Sequence, residues 1–173
     1  MSNKMLDLNV HFDAISLAIG DARKGLTKPV FLFISKLTPM VNVDLLIKNK
    51  VGQTLLTWRH DEFYGPGWHI PGGVIRFKET TEMRIAKVAE TELGINVISE
   101  KTPICIHEVM TPHRDIRGHF ISMLYSCTPT TQPNPALEFH DQHLLKNKKW
   151  KWHENCPADI IYQHEIYREY ING

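Results

Sequence analysis

Residues 67–95, GWHIPGGVIRFKETTEMRIAKVAETELGI, constrain this chain more than any other stretch. Gly72 and Gly73 let the backbone turn tightly and bring amides and carbonyls close to a ligand with no Cβ in the way. A helix follows over TTEMRIAKVAETEL, with Thr80 or Thr81 able to cap its first turn and Gly94 able to end it. Candidate strands lie on both sides of this turn and helix. VNVDLLIKN (41–49) and TLLTWRH (54–60) read as a hairpin across the turn KVGQ. TPICIHEVM (102–110) and GHFISMLYSCT (118–128) read as a second hairpin across TPHRDIR, and KWKWHE adds a short strand. WHI adds a brief strand ahead of PGG. Residues 8–19 have apolar side chains at helical spacing up to Gly20, PVFLFISK (29–36) reads as a strand, and 156–171 read as a closing helix with Pro157 in its first turn. Strands and helices mixed in this order predict an α/β fold, a central mixed sheet with helices on both faces.

At 173 residues the chain has room for one domain with a real core. Twenty Lys and Arg against 19 Asp and Glu leave no overall field to recruit nucleic acid or an anionic membrane. The lysines of KNKKWK (146–151) read as a solvated loop entering a strand. Cys105, Cys127 and Cys156 are odd in number and form no C-x-x-C pair, which argues against a disulfide framework or a zinc ribbon. His140-x-x-His143 without a Cys or carboxylate at ligand spacing is thin support for zinc. A reducing cytoplasm and no targeting signal are the expectation.

From Gly73, five residues lead to Glu79 and seven more to Lys87, followed by V-A-E-T-E-L-G-I. This layout resembles the Nudix box, G-x5-E-x7-R-E-U-x-E-E-x-G-U, with U a bulky aliphatic. Gly73, Glu79, Glu92, Gly94 and Ile95 match. Lys87 replaces Arg, Ala89 is a small apolar residue at the aliphatic position, and Val88 and Thr91 replace two acids. In the full box the carboxylates at 88, 91 and 92 share one helix face and hold several hard cations through oxygen. Here Glu92 alone remains on that face, and Glu90 reads as a solvated charge on another. The resemblance implies a Nudix fold, a mixed β-sheet between α-helices (α/β/α), over 39–173. Residues 1–38 become an N-terminal extension of helix and strand that packs on the domain or on a dimer partner.

The same two acids are missing in a branch whose box reads roughly R-L-T-x-A-E-L-G-L, the GDP-mannose mannosyl hydrolase family. That resemblance implies a cytoplasmic, homodimeric, Mg²⁺-dependent hydrolase of a nucleoside diphosphate-sugar, in which water attacks the anomeric carbon. One Mg²⁺ per site, with Mn²⁺ as an alternative, would be held by the Gly72 carbonyl, Glu92 and Gln142, with His143 as base. Asp44 and Arg59 fall where the family contacts the sugar and the leaving diphosphate, and Lys87 keeps the charge of the family's helix Arg. Val74 stands where the family has an Arg, so Arg76, on the same side of the strand, becomes the substitute substrate contact. Glu79 and Lys87 read as a structural ion pair. Trp150 and Trp152 follow His143 by seven and nine residues rather than five, so the loop carrying the base is longer and His140 competes for the role. The alternatives are a diphosphatase cutting P–O–P with carboxylates recruited from Glu62, Glu138 or Asp141, and a non-catalytic nucleotide-sugar-binding domain.

Overall fold

The computed structural model describes residues 7–140 and 147–173. Its centre is β1 (Met40–Ile47), which runs parallel to β7 (His119–Pro129) on one edge and antiparallel to β4 (Gly72–Val74) on the other. β7 also carries β5 (Val97–Ser99) and β6 (Cys105–Met110), both antiparallel. The hairpin of β6 and β7 is the one predicted, and β5 was not. A second, antiparallel sheet joins β2 (Thr54–Arg59) to β3 (Gly67–His69) and β8 (Trp150–His153).

The hairpin expected between β1 and β2 is reduced to a single bridge, Lys48 to Thr54. β7 and β4 occupy both edges of β1, so β2 has no free ladder there and turns away to pair with β3 and β8.

Alternate residues of β1 feed two cores, as the two-residue period of a strand requires. Val43, Leu45 and Ile47 pack against Ile85, Val88, Ala89 and Leu93 of the helix that follows the glycine turn. Leu46 joins Leu56, Trp58, Trp68, Tyr167 and Ile171 on the opposite face. Helical layers therefore cover both faces, and Asp44, in phase with Leu46, points to the C-terminal side.

Helix α1 (Leu8–Ile19) ends at Gly20 as expected and buries none of its residues. PVFLFISK is not a strand: α2 occupies Lys28–Ile34, with Pro29 in its first turn. A short apolar run carries no decisive period, and proline suits a helical start. α3 (Thr81–Val88) is capped by the Thr80 hydroxyl, which accepts from Met83 N–H, and its last turn, Ala89–Leu93, widens to a π-helix before the left-handed Gly94.

The closing segment also differs from expectation. Residues 157–160 form a turn, with Ile160 N–H donating to Pro157 O at 3.4 Å, and the segment bonds to β3, Trp68 N–H donating to Asp159 O and Ile161 N–H to Trp68 O. A Cβ at Gly67 would lie 2.6 Å from that Asp159 oxygen. Bonding to β3 consumes backbone groups that a helix from Pro157 would need, so helical structure is delayed to a 3-10 stretch, Tyr162–Tyr167, and α4 (Arg168–Asn172). All three cysteines are free thiols, and among the described residues no helix is long and apolar enough to cross a membrane.

Candidate active site

A cleft of about 320 Å³ opens where β1, the glycine turn, the end of α3 and the C-terminal segment meet. Asp44 lies at its base, only 1% exposed. A carboxylate buried among apolar strand residues needs partners, and three converge on it. Ser122 Oγ and Tyr167 OH each donate to Oδ2 at 2.7 Å, and Asn42 Nδ2 donates to Oδ1 at 2.8 Å. Burial pushes Asp44 up to about 6, against the pull of these bonds and of the Arg59 charge. Burial and the Asp44 charge raise Tyr167 as well, so its phenol stays a donor.

The two glycines have separate reasons. A Cβ on Gly72 would lie 2.2 Å from Asp44 Oδ1 and 2.9 Å from Val43 O, whereas one on Gly73 would meet the Val88 methyl at 2.8 Å. Gly72 therefore makes room for the carboxylate and Gly73 for helix α3. Gly72→Ala is expected to cost about 1–3 kcal/mol, because Asp44 is held by three bonds and Val43 O belongs to the sheet. In thermal unfolding that is a Tm roughly 3–10 °C lower. Gly73→Ala should cost less, since a side-chain methyl can give, and equal losses would refute the distinction.

Glu92 lines the same cleft, half-buried, with no hydrogen-bond or ion-pair partner among the described residues. Burial raises it to about 7, although Arg59 and Lys148 act to lower it. Arg59 projects from the end of β2, donating from Nε to Asp61 Oδ2 at 2.7 Å with its guanidinium 4.5 Å from the Tyr64 ring centre. Glu92 and the glycine turn on one side of the cleft, with Arg59 and Lys148 also lining it, are groups that can hold a cation and an anionic ester.

A model of the NUDIX domain matches residues 38–161. The chain belongs to the Nudix family. It is 30% identical over 109 residues to the low-salt glycan biosynthesis protein Agl8 of Haloferax volcanii, covering 61% of this chain and 67% of that one. Among solved structures, the MutT NUDIX hydrolase of Burkholderia pseudomallei superposes with TM-score 0.58 at 20% identity, over 76% of this chain and 97% of its own. A chain from Jonesia denitrificans, described as a posible asymmetric diadenosine tetraphosphate hydrolase, gives TM-score 0.55 at 20% identity, over 71% and 84%. At such identities the structures support the shared α/β Nudix fold.

In this Nudix cleft the predicted residues separate into two groups. Asp44, Arg59, Gly72 and Glu92 come together. Arg76 and Lys87 do not. Arg76 turns to the N-terminal segment and donates from Nη1 to Lys24 O at 2.7 Å, while Lys87 lies on the exposed side of the helix, 2.8 Å from Glu90. The expected Glu79–Lys87 pair is also absent, because Arg84 on the inward face takes Glu79 through Nε at 2.8 Å. Gln142 and His143 lie outside the described residues, though Asn147 and Lys148, just after them, line the cleft. His140 is exposed, 3.8 Å from Glu138.

Sequence reasoning missed Asn42, Ser122, Arg117, Lys148, His164 and Tyr167. Asn42 was legible, being two residues before Asp44 on the same strand face. Ser122 interrupts an apolar strand, a weaker sign. Nothing local marks the two aromatic residues of the C-terminal segment.

The histidines of the cleft are pinned by one residue. Ile70 N–H donates to His164 Nδ1 at 3.0 Å, and Ile70 O accepts from His69 Nδ1 at 2.8 Å. His69 Nε2 is therefore the acceptor for the Thr57 hydroxyl at 2.9 Å, and His164 carries its proton on Nε2. Burial and nearby positive charge depress both, His164 to about 3. Each is a neutral ring with its basic nitrogen already used.

This has a consequence for acid stability. An unfolded histidine protonates below about pH 6.5, while native His164 stays neutral to about 3, so in that window the unfolded chain binds the extra proton and stability falls as pH falls. His164→Phe is expected to be less stable at neutral pH, from loss of the Ile70 acceptor. Its stability should then decline less steeply below pH 6.5, by up to about 1.4 kcal/mol per pH unit. Urea midpoints at several pH values test this, and parallel curves for parent and variant would sink it.

Proposed function

We propose that this Nudix chain hydrolyses a nucleoside diphosphate-sugar, GDP-mannose or a close analogue, by attack of water at the anomeric carbon, acting as a homodimer. The observation that carries the reading is the carboxylate inventory of the cleft. Val88 and Thr91 leave Glu92 without acidic neighbours on its face, and among the described residues no group of three or more His, Cys, Asp and Glu could gather a metal ion. Glu92 nonetheless has no partner among the described residues and shares the cleft with the glycine turn, which fits one cation and not a cluster. Mg²⁺ held by Glu92, the Gly72 carbonyl and Gln142 would neutralise charge on a bound diphosphate and so improve it as a leaving group.

The chain's own groups do the rest. Arg59 is placed to meet negative charge growing on the departing diphosphate. Asp44, fixed by Asn42, Ser122 and Tyr167, retains lone-pair capacity for a sugar hydroxyl and a negative charge that favours an oxocarbenium-like transition state. His143 is the base in this reading, taking a proton from water near neutral pH. Two facts support that choice: His69 and His164 have no free basic nitrogen, and Asn147 and Lys148 bring the chain just beyond His143 to the cleft. The description of the Haloferax relative as a glycan biosynthesis protein agrees with a sugar-bearing substrate.

Attack at phosphorus would need further carboxylates. Glu62 is exposed and paired with Lys28, Glu138 sits beside His140, neither lines the cleft, and Asp141 lies outside the described residues. The deciding experiment is turnover of GDP-mannose with Mg²⁺ in ¹⁸O-labelled water. Label in free mannose with GDP released is the expected result. Label in GMP or mannose 1-phosphate would replace this reading by a diphosphatase, and tight binding without turnover would replace it by a binding domain.

A further inference from the structure

Arg117 lies in the turn between β6 and β7 and lines the cleft, yet its charge has no ion-pair partner among the described residues. Its guanidinium carbon stands 5.1 Å from the ring centre of Tyr64, 5.2 Å from Phe63 and 5.5 Å from Phe31. Rings attract a cation but offer little to its five N–H donors. Nε is buried without a hydrogen-bond partner among the described residues, and no described carboxylate pairs with the side chain.

Two further cations crowd the same tyrosine, with Arg59 at 4.5 Å and Arg114 at 4.9 Å from its ring. Asp61 is the carboxylate of the group, and it bonds to Arg59. Three guanidiniums around one ring, with a single carboxylate bonded to one of them and a desolvated donor left over on another, are stabilised by an anion from outside.

The position of Arg117 is built rather than incidental. Its φ is +54°, a left-handed conformation that costs energy for a side-chain-bearing residue. Ser35 Oγ accepts from its N–H at 3.1 Å, and its carbonyl accepts from the Tyr64 hydroxyl at 3.0 Å. At the next residue, a Cβ on Gly118 would lie 2.2 Å from Arg114 O. Phe31 and Ser35 belong to α2 and its end, outside the matched stretch 38–161.

We propose that Arg117 is an anion ligand of this cleft, its guanidinium taking phosphate oxygens of the nucleoside diphosphate, with Tyr64, Phe63, Phe31 and Ser35 holding the fork in place. The ligand class rests on the nucleotide-sugar reading above, whereas the requirement for an anion does not. A guanidinium presents paired donors at the spacing of phosphate oxygens, which a lysine cannot reproduce.

The test is calorimetric titration with inorganic pyrophosphate and with GDP, each with Mg²⁺, of the parent, Arg117→Met and Arg117→Lys. Met keeps an apolar stem among the rings and Lys keeps the charge, so at least one variant should retain the parent's melting behaviour. Loss of a charge-assisted bond predicts that both ligands bind about 10–100-fold more weakly to the Met variant, with Lys in between. Affinities within twofold of the parent in a normally folded Met variant would overturn the assignment and leave the nucleotide-sugar reading intact. Pyrophosphate binding that depends on Arg117, with no greater affinity for GDP, would support the anion ligand and count against a nucleotide substrate. A parent that binds neither would overturn both.

Discussion

Glu92→Gln is expected to lower Mg²⁺-supported turnover of GDP-mannose by at least about 100-fold, since metal-derived stabilisation of transition-state charge is worth several kcal/mol. The substitution keeps size and removes a cleft carboxylate that has no partner among the described residues. The fold should survive it, because Glu92 makes no hydrogen bond or ion pair among the described residues and is itself penalised by burial. Thermal stability should hold or rise slightly while Mn²⁺ binding, read by electron paramagnetic resonance, weakens in parallel with activity. A variant that binds Mn²⁺ as the parent does would remove Glu92 from the ligand set even if activity fell.

His143→Gln is the second large effect, an expected loss of about 10²–10⁴-fold in kcat with little change in metal affinity, the size and signature of a positioned general base. His140→Gln should change kcat by less than about twofold, given its exposed position beside Glu138. The histidines that line the cleft offer no substitute: Ile70 N–H occupies His164 Nδ1 and the Thr57 hydroxyl occupies His69 Nε2. Full activity in the His143 variant, with loss in the His140 variant, would transfer the role.

Much of the scaffold around these residues was legible because it is written in local pattern. The spacing from Gly73 to Ile95, the Thr80 cap and the Gly94 stop each concern residues within a turn or two of one another, and all appear in the structure. The alternation of VNVDLLI placed Asp44 on a strand and required that it find partners. One was two residues away, and the others came from Ser122 and Tyr167, 78 and 123 positions along the chain.

The misreadings share a physical origin. PVFLFISK suits a strand or a helix by pattern, and Pro29 fits the first turn of the helix that forms. β1 and β2 satisfy every local rule for a hairpin and are separated because β4 and β7 fill both edges of β1. The C-terminal segment has helical spacing but bonds first to β3, and that detour brings His164 and Tyr167 to the cleft.

Local pattern was enough to specify the Nudix turn and helix, the single carboxylate Glu92 on the helix face and the polar intrusion of Asp44 into an apolar strand. Which positive charges line the cleft was settled by packing between distant segments. Arg76 and Lys87 were expected at the substrate from the family resemblance, yet one is drawn to Lys24 O and the other to Glu90, while Arg59, Arg117 and Lys148 line the cleft. A long cationic side chain goes wherever acceptors and aromatic rings from distant segments meet it, and that meeting is fixed by packing rather than by neighbours in the chain.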